Sequence, residues 1–211
     1  MKKITIIDYG CGNILNLIRA IKVLGHEVEA TYDKKKILNS SHVILPGVGA
    51  FGNAMKQLEK YNLQNTILEY VKLNKPLLGI CLGMQILLTV SYEFGVYKGL
   101  NLIEGKVIKI SNKKNKEIKV PHMGWNEIYP NNGKKEWENK ILKDVSVGKN
   151  FYFVHSYLCL TQNPSSTVAT CNYSGISIPA VISFNNIFGC QFHPEKSSDN
   201  GLIILKNFCK I

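Results

Sequence analysis

A cysteine bracketed by glycines is the strongest chemical signal in this sequence. Residues 79–85 read GICLGMQ, with Cys81 between Gly79 and Gly83. The apolar run 76–80 reads as a buried strand and 84–90 as an apolar helical stretch, so Cys81 falls on the turn between them. Glycine at 79 and 83 removes the Cβ atoms that would obstruct a tight strand-to-helix reversal, the logic of a nucleophile elbow with sulfur in place of oxygen. The free N–H groups at a helix start favour an anion, which biases a thiol toward thiolate. Cysteine in an apolar run is otherwise most often inert core, so the reading depends on finding a base.

The base is supplied by residues 189–197, GCQFHPEKS, where His193 and Glu195 flank Pro194. Extended residues i and i+2 project from one side, and proline biases its predecessor away from helix, so imidazole and carboxylate become neighbours. Glu195 can then accept the ring N–H of His193 and fix its tautomer. A surface turn is the alternative for this segment taken alone. A third segment, PGVGAFG at 46–52, follows the apolar strand 42–45 and contains Gly47, Gly49 and Gly52 in the spacing of a dinucleotide fingerprint. Such a site needs an acid at the end of the next strand, but that strand ends in Cys81, and Glu69 lies within the helical pattern 66–73. The better reading is a backbone loop that aims an N–H at developing negative charge and, with the amide of Leu82, makes an oxyanion hole.

Around these segments the first half of the chain alternates strands and helices. Strands are expected at 4–9, 28–32, 42–45 and 76–80, with helices at 13–24, within 53–73, and after Cys81. From residue 100 onward the pattern becomes mainly strand: 102–110, 118–120, 151–160, 167–171 and 180–184, closed by a helix at 200–208. This predicts an α/β fold, a doubly wound, mostly parallel central sheet with flanking helices and added antiparallel strands. Chemistry in such sheets sits at strand ends, where all three segments fall.

At 211 residues the chain is expected to form one domain, 1–211, with no linker or repeat. Met1-Lys2-Lys3 leads straight into a strand without a signal-peptide core, and no apolar run approaches membrane-spanning length, so the expectation is a cytoplasmic protein with no membrane partner. Its six cysteines lack C-x-x-C pairs, which suits a reducing compartment; Cys190 and His193 have a ligand-like interval but no second pair, so no metal site is expected. The net charge of +11 comes almost wholly from lysine, with Arg19 the sole arginine. The lysines cluster at 34–36, 113–116 and 134–135 in expected loops without aromatic residues for stacking, so no nucleic-acid partner is expected. A basic surface can still dock an acidic partner or steer an anion.

GICLGMQ, FHPEKS and the PGVG loop together resemble the triad-type, class I glutamine amidotransferase family over almost the whole chain. Within it, ILPGVGAFGNAM (44–55), VPHMGWN (120–126) and YFVHSY (152–157) look like the glutaminase subunits that serve histidine biosynthesis. The resemblance implies that Cys81 attacks the side-chain amide carbon of L-glutamine, that His193 relays protons and Glu195 orients it, and that water cleaves a γ-glutamyl thioester to leave glutamate and ammonia. It also implies Val48 and Leu82 amides at the oxyanion and Gly49 and Gln85 cradling glutamine. Glu93, Tyr152, His155 and Ser156 would lie around the same pocket. Asn13, Met123, Trp125 and Lys196 would face a partner, a (β/α)8-barrel cyclase subunit bound as a heterodimer, through which ammonia passes. No cofactor is implied, and His26, His42 and His122 take no catalytic role.

The chain ends soon after the triad, so the ammonia acceptor is expected on another polypeptide. It departs from the family pattern at Tyr173-Ser174-Gly175, at Ile178-Pro179 and at 88–90. These departures leave open a paralogous glutaminase that feeds a surface-sugar amidotransferase. From other classes, a stand-alone cysteine hydrolase of peptides or γ-glutamyl conjugates needs an open groove, and a catalytically silent regulatory module needs a broken triad, which the intact Cys81, His193 and Glu195 argue against.

Overall fold

The strands that must carry the elbow are short and almost wholly apolar, as expected for a sheet covered on both faces. A computed structural model describes residues 2–111, 118–133 and 135–211. In chain order the first half consists of β1 (Lys3–Ile7), α1 (Ile14–Val23), β2 (Glu27–Thr31), α2 (Lys34–Asn39), β3 (His42–Leu45), α3 (Phe51–Lys60), α4 (Leu63–Lys72), β4 (Leu77–Ile80) and α5 (Leu82–Ile86). The second half holds β5 (Val90–Ser91), β6 (Tyr97–Lys98), β7 (Gly105–Lys109), β8 (His122–Glu127), β9 (Tyr129–Pro130), β10 (Asn150–His155), β11 (Tyr157–Thr161), β12 (Thr167–Tyr173), β13 (Ile176–Phe184), β14 (Ile187–Cys190) and α6 (Ser198–Lys210).

The central sheet runs in the order β2-β1-β3-β4-β14-β13-β12-β9. Its first five strands are parallel and the remaining pairings antiparallel, so the fold is the α/β sheet the sequence predicts. Alternate residues feed opposite faces. Ile4, Ile6, Ile44, Leu78 and Ile80 pack with Leu17 and Ile21 of α1 and Ile204 and Phe208 of α6. Val43, Leu45 and Leu77 pack on the other face with Ile37, Phe51, Leu58, Ile67 and Tyr70 from α2, α3 and α4. The edge strand β2 is only half buried and is flanked by charge, with Glu29 paired to Lys3 and Lys36, which discourages edge-to-edge association. Two small sheets, β10-β8 and β11-β7-β5-β6, stand beside the main one.

Several elements differ from the sequence reading. The helix expected at 84–90 starts at Leu82 and stops at Ile86, because the carbonyls of Ile86, Leu87 and Leu88 are taken by the amides of residues 100–103, and Val90 joins β5. Lys34–Asn39 is a helix and not a loop: Asp33 caps it by accepting from Lys36 N, while Lys34 pairs with Glu69. Residues 113–116 and Lys134 lie outside the described residues. The run 151–160 is two strands in different sheets, split at Ser156. No strand forms at 118–120; pairing begins at His122, after Pro121, which has no N–H for a ladder. Among the described residues, no helix is long and apolar enough to cross a membrane.

Candidate active site

The site is assembled by strand adjacency. β3, β4 and β14 are neighbours, with Leu45 opposite Gly79 and Cys190 opposite Ile80, so the loops after all three leave the same end of the sheet. Cys81 is the first residue past β4, and its amide donates to Cys190 O at 2.7 Å. Its backbone sits at φ 55, ψ −109, a region that non-glycine residues rarely occupy and that marks a strained elbow. The flanking glycines are required here. A Cβ on Gly83 would lie 1.8 Å from Leu45 O, and one on Gly79 2.7 Å from the Gly83 backbone. Gly83→Ala is accordingly expected to push the elbow off β3 and cost several kcal/mol, on the order of 3 or more, in urea unfolding together with most activity. A variant as stable and active as the parent would show that the turn relaxes freely.

His193 and Glu195 meet as the sequence predicts, though not by extended geometry. Pro194–Lys196 is a short 3-10 turn with proline at its first position and His193 at its cap, and the turn folds the carboxylate back beneath the ring. His193 Nδ1 donates to Glu195 Oε1 at 2.9 Å, and both side chains are nearly inaccessible. Ser197, unremarked in the sequence reading, clamps this turn: its hydroxyl donates to His193 O at 2.7 Å and accepts from Tyr152 N at 3.0 Å. Among the described residues no hydrogen bond reaches His193 Nε2, which is buried beside the cavity that Cys81 also lines. Burial disfavours a charged ring, but the Cys81 sulfur and then the Glu195 carboxylate outweigh it and raise the His193 pKa to about 10. The arrangement suits a charged imidazole poised to hand on its proton beside a sulfur nucleophile. Because the ring titrates well above its unfolded value, its contribution to stability is full below about pH 6.5 and lost as pH rises through about 10. Urea unfolding at pH 7 and pH 10.5 should show a larger loss for the parent than for Glu195→Gln; equal losses would refute this coupling.

A cavity of about 270 Å³ opens over these groups, lined by Val48, Gly49, Cys81, Gln85, Glu93, Pro121, Val154, His155, Ser156, Tyr157 and His193. A wider groove of about 510 Å³ around Pro130, Glu136 and Ser165 is lined by neither cysteine nor histidine and shares no residue with the elbow. Glu93 Oε2 accepts from Phe51 N at 2.6 Å at the start of α3; burial raises its pKa while that N–H opposes the rise. A phosphate at this glycine loop would need that same helix start, so Glu93 argues against a nucleotide. It leaves a buried carboxyl group in the wall of the small cavity, suited to meet an ammonium group. Gln85 is anchored: its Nε2 donates to Tyr157 O and to Gln191 Oε1, each at 3.2 Å. Gln191 in turn donates to Cys81 Sγ at 3.8 Å, and the Cys81 thiol points to Val154 O at 3.7 Å.

Two expectations need correction. Tyr152 does not line the cavity; it shares a face of β10 with Val154 but lies two residues further from the strand's end, where its ring packs edge-on against Trp125 and under the ammonium of Lys196. The amides of Val48 and Leu82 do not converge. Leu82 N donates to Gly47 O at 3.4 Å, and since the trans Gly47–Val48 peptide points its N–H opposite to its carbonyl, the Val48 amide is directed away. Of the residues expected at a partner face, Met123 and Trp125 are 61% and 51% exposed, Lys196 is exposed, and Asn13 is half-buried at the start of α1. Among the described residues no group of His, Cys, Asp and Glu forms a metal set.

A doubly wound sheet with a cysteine elbow, a His–Glu pair and a glycine loop at adjoining strand ends defines the class. The chain belongs to the class I glutamine amidotransferase family, whose description matches residues 5–211. It is 40% identical to imidazole glycerol phosphate synthase subunit HisH 1 of Legionella pneumophila (strain Paris), over 100% of both chains. It is 46% identical to subunit HisH of Bacillus mycoides (strain KBAB4), over 97% of this chain and 93% of that one. In fold it is similar to the solved structure of PurLQS from Thermotoga maritima, with a TM-score of 0.73 at 17% identity, over 100% of this chain and 99% of that one.

Proposed function

We propose that this chain is the glutaminase subunit of imidazole glycerol phosphate synthase in histidine biosynthesis, acting as one glutamine amidotransferase domain. The observation that carries the reading is that Cys81 and His193 line one cavity with Glu195 bonded behind the ring, in a chain alike along its whole length to HisH subunits. L-Glutamine enters with its ammonium toward Glu93, and its side-chain amide reaches Cys81 beside Gly49 and Gln85. The Cys81 thiolate attacks the amide carbon, and the tetrahedral oxyanion is to be met by backbone N–H groups of Val48 and Leu82. The His193 imidazolium, held in register by Glu195, gives its proton to the departing nitrogen, and ammonia leaves a γ-glutamyl thioester. His193, now neutral, takes a proton from water as the water attacks the thioester; a second tetrahedral intermediate then collapses to glutamate and regenerates the pair.

Ammonia released to bulk water at neutral pH is mostly protonated and no longer nucleophilic, so it must pass directly to its acceptor. A (β/α)8-barrel cyclase subunit seated on Met123, Trp125, Lys196 and Asn13 supplies that route, with Tyr152 joining this face. The test is glutamate release from glutamine by the chain alone, and by the chain with the same organism's cyclase subunit plus its nucleotide ligand. Strong stimulation supports the reading. No stimulation by a cyclase that works with free ammonia would direct the search to another acceptor, such as a surface-sugar amidotransferase.

A further inference from the structure

Two imidazoles lie nitrogen to nitrogen at the cavity wall, His155 lining it and His122 behind. His155 on β10 and His122 on β8 face each other across an antiparallel pair, with His155 Nε2 and His122 Nδ1 2.9 Å apart. At one end of this pair, His155 Nδ1 is 2.7 Å from Tyr157 O; at the other, His122 Nε2 is 2.7 Å from Asn126 Oδ1. Tyr157 O also accepts from Gln85, Gln85 bonds Gln191, and Gln191 donates to the Cys81 sulfur. An unbroken run of polar contacts therefore links β8, whose other face carries the exposed Met123 and Trp125, to the nucleophile.

We infer that His122 and His155 are positioning residues for Cys81, acting through the Tyr157 carbonyl, Gln85 and Gln191, with both rings carrying their proton on Nδ1. The inference rests on the reading of Cys81 as the nucleophile. Oxygen at each end of the run only accepts, so three contacts between two rings and two oxygens call for three ring protons, and two neutral rings hold two. A third proton would put a positive charge on the pair. Burial opposes that charge, pushing His155 down to about 3 and His122 below the usual histidine range, and the nearby His193 adds repulsion. The faces of the His122 ring are covered by Phe153 and Tyr173, at 4.8 and 4.1 Å between ring centroids, neither of which brings a compensating negative charge.

With two protons one contact must yield, and it is an end, because protons on His155 Nδ1 and His122 Nε2 would leave two bare nitrogens lone pair to lone pair at 2.9 Å. Nε2–H on both rings would set a bare His155 Nδ1 against a buried carbonyl 2.7 Å away, whose backbone cannot turn. Nδ1–H on both rings keeps that bond and the ring-to-ring bond, and asks that Asn126 turn its amide to present N–H to His122, giving up its bond to Asn172 O. Asn126 is half-buried, and its other contact is a 3.3 Å bond to the exposed Asn172 O, so it can turn where Tyr157 cannot. His122 thus donates to His155, His155 is locked to donate to Tyr157 O, and Gln85 and Gln191 are held so that an amide N–H faces the thiolate.

The test uses the full chain and two kinds of readout. Ring 15N shifts of the unmodified protein should give Nδ1–H for both His122 and His155 at pH 7.5; Nε2–H on His155 would overturn the inference without any variant. His122→Asn keeps a donor near the Nδ1 position, whereas His122→Phe removes it. Alkylation of Cys81 by iodoacetamide should slow about ten-fold in His122→Phe and stay within about three-fold in His122→Asn. With the stimulating partner, kcat for glutamate release should follow the same order while KM moves less than about two-fold. Equal behaviour of the two variants, or an unchanged alkylation rate in a folded His122→Phe, would overturn it. Alkylation needs neither glutamine nor partner, so it decides the positioning role even if no glutamate release is ever found.

Discussion

Replacing Cys81 with serine is expected to lower partner-stimulated glutamate release by about 10⁴-fold or more, and adding His193→Ala to that variant is expected to cost little further. The two side chains flank one cavity as a nucleophile and its proton carrier, and neither is useful without the other. Serine keeps the shape of the elbow but not the acidity: an alcohol gives up its proton far less readily than a thiol, so no comparable nucleophile forms beside His193. Glu195→Gln should fall between these and the parent, on the order of 10³-fold, because an amide can present N–H to His193 Nδ1 and favour the wrong tautomer. Steady-state rates of the single and double variants, with thermal unfolding as the folding control, decide the matter. Multiplicative losses in the Cys81–His193 double variant would show that the two do not act as a unit.

What could be read from the sequence divides along physical lines. Strands β1, β3 and β4 and helices α1, α3 and α4 were legible because their apolar periodicity is clean, and the triad was legible because its geometry is local. Gly79 and Gly83 create the elbow within five residues, and Pro194 brings His193 and Glu195 together within three. The proline worked through a turn instead of an extended segment, yet the juxtaposition was the same. The end of α5 was not legible, since residues 82–88 are buried on every side and carry no periodic signal. β14 was passed over between turn residues although it sets Cys190 beside the nucleophile. Tyr152 was misplaced because distance along β10, and not motif membership, decides which residues reach the cavity: it shares a face with Val154 but lies two residues further from the strand's end. Gln191 and Ser197 lay inside a motif already singled out and are wholly buried in the fold, but only Gln191, between Cys190 and Phe192, carried the signal of a polar residue in an apolar run. His122 needed the third dimension, since its partner lies thirty-three positions away on another strand.

The other large effect concerns the chain without its partner. Loss of one oxyanion donor typically costs about 10²- to 10³-fold in rate, and here the Leu82 amide is taken by Gly47 O while the Val48 amide is turned away. Rotating the Gly47–Val48 peptide by about half a turn frees Leu82 and brings the Val48 N–H round to the same side. That rotation carries Val48 toward positive φ, which it does not now have and which a β-branched residue tolerates poorly, at about 1–3 kcal/mol. The resting orientation is therefore favoured by the side chain at position 48, and a partner must supply the difference. Stimulation of about 10²- to 10³-fold is expected when the liganded cyclase is added. Val48→Gly removes the Cβ that resists rotation, and should raise the partner-free rate about 5- to 100-fold while changing the stimulated rate far less. Val48 is 44% exposed, so the substitution leaves the core intact and the comparison is clean. If Val48→Gly releases glutamate no faster than the parent in the absence of the partner, the orientation of this peptide is not what holds the resting enzyme back.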